Sequence, residues 1–181
     1  MGDNIFFDLA RLKHLGKNVI IGKTVRIRQP EKVIIGDNTI IDDFTYISCA
    51  MEIGKNCHIA SNVSISGGSG KLVIGDYSTI SNGCSIHCAS SDYKNCSLDL
   101  PSVPKERQFG GVKEDIQIGD FVVVGAHSCI LPGCNIPDGV ALGAYTLAKK
   151  ENIFSPYHLY VGHNCRDLGE RRGKHLLEDI K

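Results

Sequence analysis

The sequence predicts an all-β fold, a parallel β-helix with three short sides per coil, and three observations support it. Aliphatic side chains recur at every sixth position over most of the 181 residues. Glycine directly follows many of these aliphatic residues, and a small or β-branched residue stands four positions after most of them. An α-helix repeats every ~3.6 residues and a strand every ~2, so neither sustains this period. A stack of coils, in which each repeat supplies one strand and one corner, does.

The chain is predicted to form a single domain, 1–181, that opens with a short helix over residues 5–14. Apolar and long side chains at Phe6, Leu9, Ala10 and Lys13 have helical spacing. The six-residue period begins after this segment.

Coils are predicted over residues 19–150. Their aliphatic ladder consists of Ile21, Ile27, Ile35, Ile41, Ile47, Ile53, Ile59, Ile65, Ile74, Ile80, Ile86, Ile118, Val124, Ile130, Ile136, Leu142 and Ala148. We expect these side chains to point inward and fill the axis of the prism. The glycines that follow them permit either close approach of two coils or a positive φ at the corner.

Three steps of the ladder are longer than six residues. They follow Ile27, Ile65 and Ile86, and the count of repeats puts all three after the same side of the triangle. Insertions on one corner build a local wall, and the longest of them, the loop 87–117, is the expected active-site loop. After Glu151 the period is lost, and 151–181 is expected to wrap around the coils and to end in a helix interrupted by Gly169 and Gly173.

Composition excludes several classes of function. Twenty lysines and arginines balance twenty aspartates and glutamates, so no electrostatic attraction to nucleic acid is expected. No apolar stretch is long enough to span a membrane, and no signal peptide is recognisable, which favours a cytoplasmic protein without membrane insertion. Most of the eight cysteines are expected to act as small core residues.

Two phrases carry a resemblance to a known family: VVVGAHSCILPGCNIPDGVALGAYTLAKKE at 122–151 and YVGHNCRDLGERR at 160–172. Over about 15–172 the chain resembles the hexapeptide-repeat acyltransferases. Within them it is most similar to sugar O- and N-acetyltransferases, such as the galactoside, maltose and capsule or O-antigen enzymes. The resemblance implies a left-handed β-helix, a homotrimer with active sites between subunits, and acetyl-CoA as donor. It also implies a sugar acceptor, such as a nucleotide-linked amino-sugar precursor of a surface polysaccharide.

The donor site is predicted at Gly125-Ala126 and Gly143-Ala144. These pairs are 18 residues apart, hence on the same corner of successive coils. Small residues there leave backbone amides accessible to an extended pantetheine arm, and the resemblance assigns such corners to coenzyme A. The expected partners of its phosphates are Lys149, Lys150, Arg166 and Arg171. The alternatives are small residues that serve the corner alone and a solvated charged tail.

His87 is the predicted general base, because it follows Ile86 directly and should point outward where the long loop begins. Asp92 is the second predicted catalytic residue, and Ser91 and Tyr93 are expected to contact the acceptor. The related galactoside enzymes place their histidine about four residues later, where this chain has Ser91. Transfer to an amine needs less help from a base, so N- and O-acetylation both stay open. A structural histidine is the alternative.

Two other classes of protein remain as rivals. The γ-type carbonic anhydrases resemble this coil and bind zinc through histidines five residues apart, but here the only such pair is His158 and His163, in the irregular tail. No C-x-x-C motif is present, and no metal is expected. A non-catalytic structural β-helix is the second rival, although it requires neither the long loop nor the Gly-Ala corners.

Overall fold

The computed structural model describes residues 4–178 and 180, and its body is a triangular prism of parallel strands. Face A comprises β1 His14–Leu15, β4 Val33–Ile35, β7 Ala50–Ile53, β10 Lys71–Ile74, β15 Ile116–Ile118 and β18 Asn135–Ile136. Face B comprises β2 Ile20–Ile21, β5 Ile40–Ile41, β8 His58–Ile59, β11 Thr79–Ile80, β16 Val123–Val124, β19 Ala141–Leu142, β21 His158–Val161 and the antiparallel β22 Arg166–Glu170. Face C comprises β3 Arg26–Ile27, β6 Tyr46–Ile47, β9 Ser64–Ser66, β12 Ser85–His87, β17 Cys129–Ile130 and β20 Leu147–Ala148. The predicted all-β parallel β-helix is confirmed.

The aliphatic ladder fills the interior of the prism. Ile41 pairs with Ile21 in the coil before it and with Ile59 in the coil after it. Ile41 and Ile59 have no exposed surface, and each such side chain contributes roughly 1.5–3 kcal/mol by burial. The coils are therefore held together by stacked side chains of the same type along one axis.

Edge AB joins face A to face B, edge BC joins face B to face C, and edge CA returns to face A. Glycine at these corners is required by close approach, since a Cβ on Gly36 would lie 2.5 Å from the carbonyl carbon of Gly54. The positive φ falls two residues after the glycine, at Asn38 (57°) on edge AB and at Tyr145 (58°) on edge BC. Of the two roles predicted for the glycines that follow ladder residues, close approach is the one found at Gly36.

All three long steps leave face C at edge CA, which confirms the predicted placement on one corner. They comprise residues 28–32, 67–70 and 88–115. The longest contains the antiparallel pair β13 Ala89–Ser90 and β14 Val112–Lys113 and a 3₁₀ turn at Lys105–Arg107. His87 is the last residue of β12, so this insertion, rather than 87–117, is the loop.

The predicted helix over 5–14 is wrong. Only Leu9–Arg11 forms a 3₁₀ turn, and His14 already belongs to β1. The segment instead contacts the first coils, where the Asn4 side chain donates to the carbonyls of Gly22 (3.1 Å) and Val25 (2.7 Å). Within 5–14 itself, the Ile5 amide donates to the Lys23 carbonyl (3.0 Å) and the Lys13 amide to the Pro30 carbonyl (3.1 Å), so the backbone at both ends of the segment bonds to the coils and not within a helix.

The C-terminal part differs from the prediction because it continues the prism beyond residue 150. Tyr160 of β21 pairs with Leu142, so face B gains one more parallel strand before β22 turns back. A short helix, α1 Lys174–Glu178, follows Gly173. Residues 1–3, 179 and 181 of the predicted domain lie outside the described residues. No helix in the described part of the chain is long and apolar enough to cross a membrane.

Candidate functional site

His87 lies at the end of a strand that is one residue longer than most on its face. Strands β3, β6, β17 and β20 have two residues each, whereas β9 and β12 have three. The additional residues are Ser66 and His87, which lie opposite each other in the parallel register. The Ser66 hydroxyl oxygen is 2.9 Å from His87 Nδ1. The strand extension therefore fixes the imidazole where the long insertion begins.

The environment of His87 favours a neutral ring. Partial burial lowers the pKa of His87 below its ordinary value of 6.5, because a charged imidazolium loses hydration there. The side chain is half-buried, so part of the ring stays accessible. At pH 7 the imidazole is therefore unprotonated and able to accept a proton.

A cleft of about 500 Å³ opens between the long insertion and the last coils, at edge CA. Its lining comprises Ser90, Ser91, Asp92, Tyr93, Lys94, Val112, Glu114, Leu131, Pro132, Lys149, Lys150 and Glu151. Five of the predicted site residues, from two distant parts of the sequence, thus share one cavity. His87 and the Gly-Ala corners do not line it.

Asp92 is bound within a turn of the insertion. Its carboxylate accepts hydrogen bonds from the Lys94 amide (3.0 Å), the Asn95 amide (2.9 Å) and the Asn95 side chain (2.9 Å). These bonds, the side-chain bond from Asn95 first, lower the pKa of Asp92. The carboxylate is therefore ionised at pH 7, but the same bonds make it a weaker base than a free carboxylate.

Ser91 and Tyr93, the two residues predicted to contact the acceptor sugar, differ in exposure. The Ser91 hydroxyl donates to the Asp99 carboxylate at 3.0 Å, which anchors it to the same insertion. Tyr93 is 91% exposed and projects from the rim of the cleft. Its hydroxyl lies 3.3 Å from Ser90 Oγ.

Lys150 connects the last coil to the insertion across the cleft. Its ammonium group lies 2.7 Å from the Glu114 carboxylate, and both side chains are partly exposed. Gly133 lies beneath that carboxylate with a φ of 78°, a backbone conformation that favours glycine where Glu114 crosses edge CA. Lys149 lines the same cleft, and its backbone amide donates to Asn152.

The Gly-Ala pairs lie on edge BC in the last two complete coils. A Cβ on Gly125 would lie 2.5 Å from the Ala144 amide nitrogen, so the two coils touch through backbone. The Ala126 carbonyl accepts from the Tyr145 amide at 2.9 Å, but no described residue accepts from the amides of Ala126 and Ala144. Two donors one coil apart are thus available to the carbonyls of an extended ligand.

The two predicted arginines lie on different edges. Arg166 pairs with Val161 across β21 and β22. The Val161 side chain packs against Gly143, where a Cβ would lie 2.8 Å from it, so Arg166 lies near edge BC. Arg171 donates instead to the carbonyls of Phe121 (3.3 Å) and Gly139 (2.6 Å), on edge AB. The structure therefore does not bring Arg171 to the Gly-Ala corners, because the tail folds back across face B.

Sequence reasoning missed Ser66 and Glu114. Ser66 was detectable, because Ile65 and Ile86 occupy the same face one coil apart and the residues after them must lie opposite each other. Glu114 was not, since its position depends on the non-periodic insertion.

No group of three or more His, Cys, Asp or Glu side chains in residues 4–178 and 180 could hold a metal ion. His158, from the only pair with zinc-enzyme spacing, lies 2.9 Å from the Asp167 carboxylate.

Comparison with known proteins gives two matches in sequence. The family model described as "Bacterial transferase hexapeptide (six repeats)" matches residues 32–67. A curated relative from Escherichia coli, dTDP-4-amino-4,6-dideoxy-D-glucose acyltransferase, is 32% identical over 180 residues. The match covers 97% of this chain and 91% of the relative.

Comparison with solved structures also finds similarity to sugar acyltransferases. AntD, an N-acyltransferase from Bacillus cereus in complex with dTDP and 3-hydroxybutyryl-CoA, is 28% identical with a TM-score of 0.86 and covers 98% of this chain and 95% of its own. A variant bound to dTDP-4-amino-4,6-dideoxyglucose and coenzyme A gives 0.83, with 28% identity and coverage of 98% and 96%. A maltose O-acetyltransferase from Clostridium difficile 630 shares only the fold, at 19% identity, a TM-score of 0.56 and coverage of 90% and 72%. The stronger similarities extend over nearly the whole chain and are not confined to the repeats.

Proposed function

Because this chain belongs to the hexapeptide-repeat sugar acyltransferases, we propose that it transfers an acyl group from coenzyme A to the amine of a dTDP-linked amino sugar. The observation that carries the proposal is the similarity, over 97% of the chain, to the Escherichia coli enzyme named for dTDP-4-amino-4,6-dideoxy-D-glucose. AntD, which holds that sugar nucleotide and coenzyme A in one of its structures, supports it.

The proposed acceptor atom is nitrogen. AntD is described as an N-acyltransferase, and a neutral amine attacks a thioester more readily than a hydroxyl does. Such an attack needs a base only to remove one proton, and the neutral, half-buried imidazole of His87 suits this task.

The proposed donor path runs along edge BC. The amides of Ala126 and Ala144 would donate to the carbonyls of the pantetheine arm, and Gly125 and Gly143 allow the close stacking of coils that places the two amides one above the other. Lys149, Lys150 and Arg166 would hold the phosphates through charge-assisted hydrogen bonds. This assignment leaves Arg171 with a structural role on edge AB.

The proposed acyl group is acetyl, which the resemblance to sugar acetyltransferases favours. AntD binds 3-hydroxybutyryl-CoA, so the two thioesters are the informative pair of donors to compare. The acyl chain length is a separate proposal from the transfer itself.

The proposed reaction proceeds in two steps. The amine nitrogen attacks the thioester carbonyl carbon, a C–N bond forms, and His87 Nε2 takes the proton from nitrogen. The tetrahedral intermediate then collapses as the C–S bond breaks, and the imidazolium returns its proton to the thiolate of coenzyme A. Asp92, Ser91 and Tyr93 are proposed to contact the sugar from the insertion.

Homotrimer assembly, with active sites between subunits, belongs to the same proposal, as do a cytoplasmic location and a surface-polysaccharide precursor as acceptor. Light scattering coupled to size-exclusion chromatography tests the assembly directly. A mass of three chains supports it, and a monomer that is fully active contradicts it.

A thiol-release assay tests the function. Acetyl-CoA and 3-hydroxybutyryl-CoA are offered with dTDP-4-amino-4,6-dideoxyglucose, with its counterpart that has a hydroxyl in place of the amine, and with a free amino sugar. We expect release of coenzyme A only with the dTDP-linked amine, and a kcat reduced by ~10²–10⁴-fold in His87→Gln. Equal rates with the hydroxyl counterpart would contradict N-acylation. Stoichiometric zinc without thiol release would favour the carbonic-anhydrase alternative.

A further inference from the structure

We propose that Ser66 is a positioning residue that holds the His87 ring with Nδ1 protonated, so that Nε2 is free to accept the proton of the acceptor. The inference rests on the proposed function for the role of His87. It adds a residue from a different coil, which the predicted site does not include.

The first argument is that the two strands that carry Ser66 and His87 are each one residue longer than the other strands of face C. Only β9 and β12 among the described face C strands have a third residue, and these residues are Ser66 and His87. The Ser66 carbonyl also accepts from the Cys88 amide at 2.7 Å. Ser66 thus binds two consecutive residues, one through its backbone and one through its side chain.

The second argument is the insertion that follows Ser66. A Cβ on Gly67 would lie 2.5 Å from Cys88 Cβ, and Gly67 and Gly68 have φ values of 149° and 52°. Side chains at these positions would be strained or would clash. The glycines therefore let the chain turn close beneath Cys88, and they hold Ser66 against the start of the long insertion.

The third argument is the choice of a hydroxyl as partner. Two other histidines of this chain contact carboxylates, His58 with Asp42 at 2.8 Å and His158 with Asp167 at 2.9 Å. A carboxylate stabilises imidazolium and raises its pKa, whereas a hydroxyl orients the ring without adding charge. A hydroxyl partner therefore keeps His87 a neutral base at pH 7.

The titratable side chains near His87 carry no charge at pH 7, so they do not change the neutral state assigned to its ring. The strands packed against β12 are β9 and β17, and the titratable side chain that they carry is the Cys129 thiol. The adjoining residue in sequence adds the Cys88 thiol. Burial raises the pKa of Cys129, and the contact with Cys49 together with burial raises that of Cys88, so both stay uncharged at pH 7.

The proton count then selects one direction for the hydrogen bond. If Nδ1–H donates to Ser66 Oγ, the lone pair of Nε2 is free and the ring can act as a base. If the hydroxyl donates to Nδ1, Nε2 carries the proton and cannot accept another. Proton transfer from the amine requires the first arrangement, and the half-exposed hydroxyl can donate its own proton to solvent.

The test compares Ser66→Ala and Ser66→Thr, with Ser64→Ala as the matched control. Ser64 lies two residues earlier on the same strand and faces Ser85 instead of the histidine. We expect Ser66→Ala to lower kcat by ~10–10²-fold, by analogy with other residues that orient a functional histidine. KM for both substrates should change less than about twofold, because Ser66 touches neither. Ser66→Thr, which retains the hydroxyl, should restore most of kcat.

Nitrogen-15 NMR of the His87 ring provides a readout that does not depend on turnover. The wild type should show a protonated Nδ1, and Ser66→Ala should shift the proton toward Nε2. Unchanged kcat and an unchanged tautomer in Ser66→Ala would overturn the proposal, and so would an equal loss of kcat in Ser64→Ala. A wild type that acylates no amino sugar would overturn the proposed function, while the ring shifts would still decide whether Ser66 sets the tautomer.

Discussion

Edges AB and BC flank the same face of the prism, but their backbone amides meet different partners. At four places on edge AB, an aspartate one coil later accepts from the amide of the second residue after the ladder position. The pairs are Asp37 with Lys17 (2.7 Å), Asp76 with Lys55 (2.9 Å), Asp120 with Asp76 (2.9 Å) and Asp138 with Asp120 (3.0 Å). On edge BC, Ala126 and Ala144 occupy the corresponding positions. The residue at this position of each repeat thus determines whether the amide one coil earlier has a carboxylate partner or is available to a ligand.

Among the described residues of edge BC, no acceptor is found for the corresponding amides of Asp43, Ser61 and Asn82 either. At the start of edge BC, the Asp43 carboxylate accepts at 2.8 Å from the amide of Thr24, which is the third residue after Ile21, whereas the aspartates of edge AB bind the second. Ala126 and Ala144 differ from Asp43, Ser61 and Asn82 in that they combine such an amide with the smallest side chain found at this position of edge BC. The long insertion lies between the coil that carries His87 and the coil that carries Ala126, and Ala144 belongs to the coil after that.

The largest effect is expected from a substitution that gives edge BC the aspartate found on edge AB. In Ala144→Asp the new carboxylate should accept from the Ala126 amide and repel the phosphates of coenzyme A. We expect the affinity for coenzyme A to fall at least ~10²-fold, with the melting temperature unchanged or raised. Titration calorimetry measures the loss. Asn135→Asp, which adds a carboxylate in the same coil on face A, is the matched control, and similar weakening in both variants would refute the assignment of the Ala126 amide to ligand binding.

Lowering the pH should reduce the contribution that the proposed base His87 makes to turnover. Because burial lowers the pKa of His87 below 6.5, the ring is a base above that pKa and loses this role as the pH falls through it. The ratio of wild-type to His87→Gln kcat/KM should stay constant from about pH 7 to 8 and fall ~10-fold per unit below the pKa. The ratio cancels the ionisation of the acceptor amine. A ratio that rises on acidification would exclude His87 as the base.

Removing one of the aspartates that bind backbone amides on edge AB should lower the stability of the protein without changing its binding of the thioester. Asp76→Ala leaves the Lys55 amide without its carboxylate partner and should lower the free energy of unfolding by ~1–2 kcal/mol. KM for the thioester should not change, since edge AB binds no ligand in this account. Denaturant unfolding and initial rates measure the two quantities. A raised KM with unaltered stability would reverse the roles given to the two edges.

The smallest expected effect concerns the ion pair across the cleft. Glu114→Gln releases Lys150 from a partly exposed pair that contributes at most ~1 kcal/mol. KM for the thioester should fall by less than about threefold, because Lys150 becomes free to bind phosphate, and the decrease should vanish at high salt. A raised KM would show that Glu114 positions Lys150 for binding and does not compete with the phosphates.

The period of the sequence was sufficient to predict the prism and the corner from which all three insertions leave. It also predicted that Gly125-Ala126 and Gly143-Ala144 stack. What it could not predict depends on contacts outside the repeat. The segment 5–14 forms no helix because it binds the first coil, and Arg171 reaches edge AB because the tail reverses at β22. The pairing of Ser66 with His87 could have been predicted from the sequence, because these residues directly follow the ladder residues Ile65 and Ile86.

The amide protons themselves provide the most direct test of the difference between the two edges. In amide-resolved NMR of the deuterated protein, saturating coenzyme A should shift the resonances of Ala126 and Ala144 downfield. Those of Lys55 and Asp76, already bonded to carboxylates, should hardly move. Shifts confined to edge AB, or binding without any change at Ala126 and Ala144, would contradict the account.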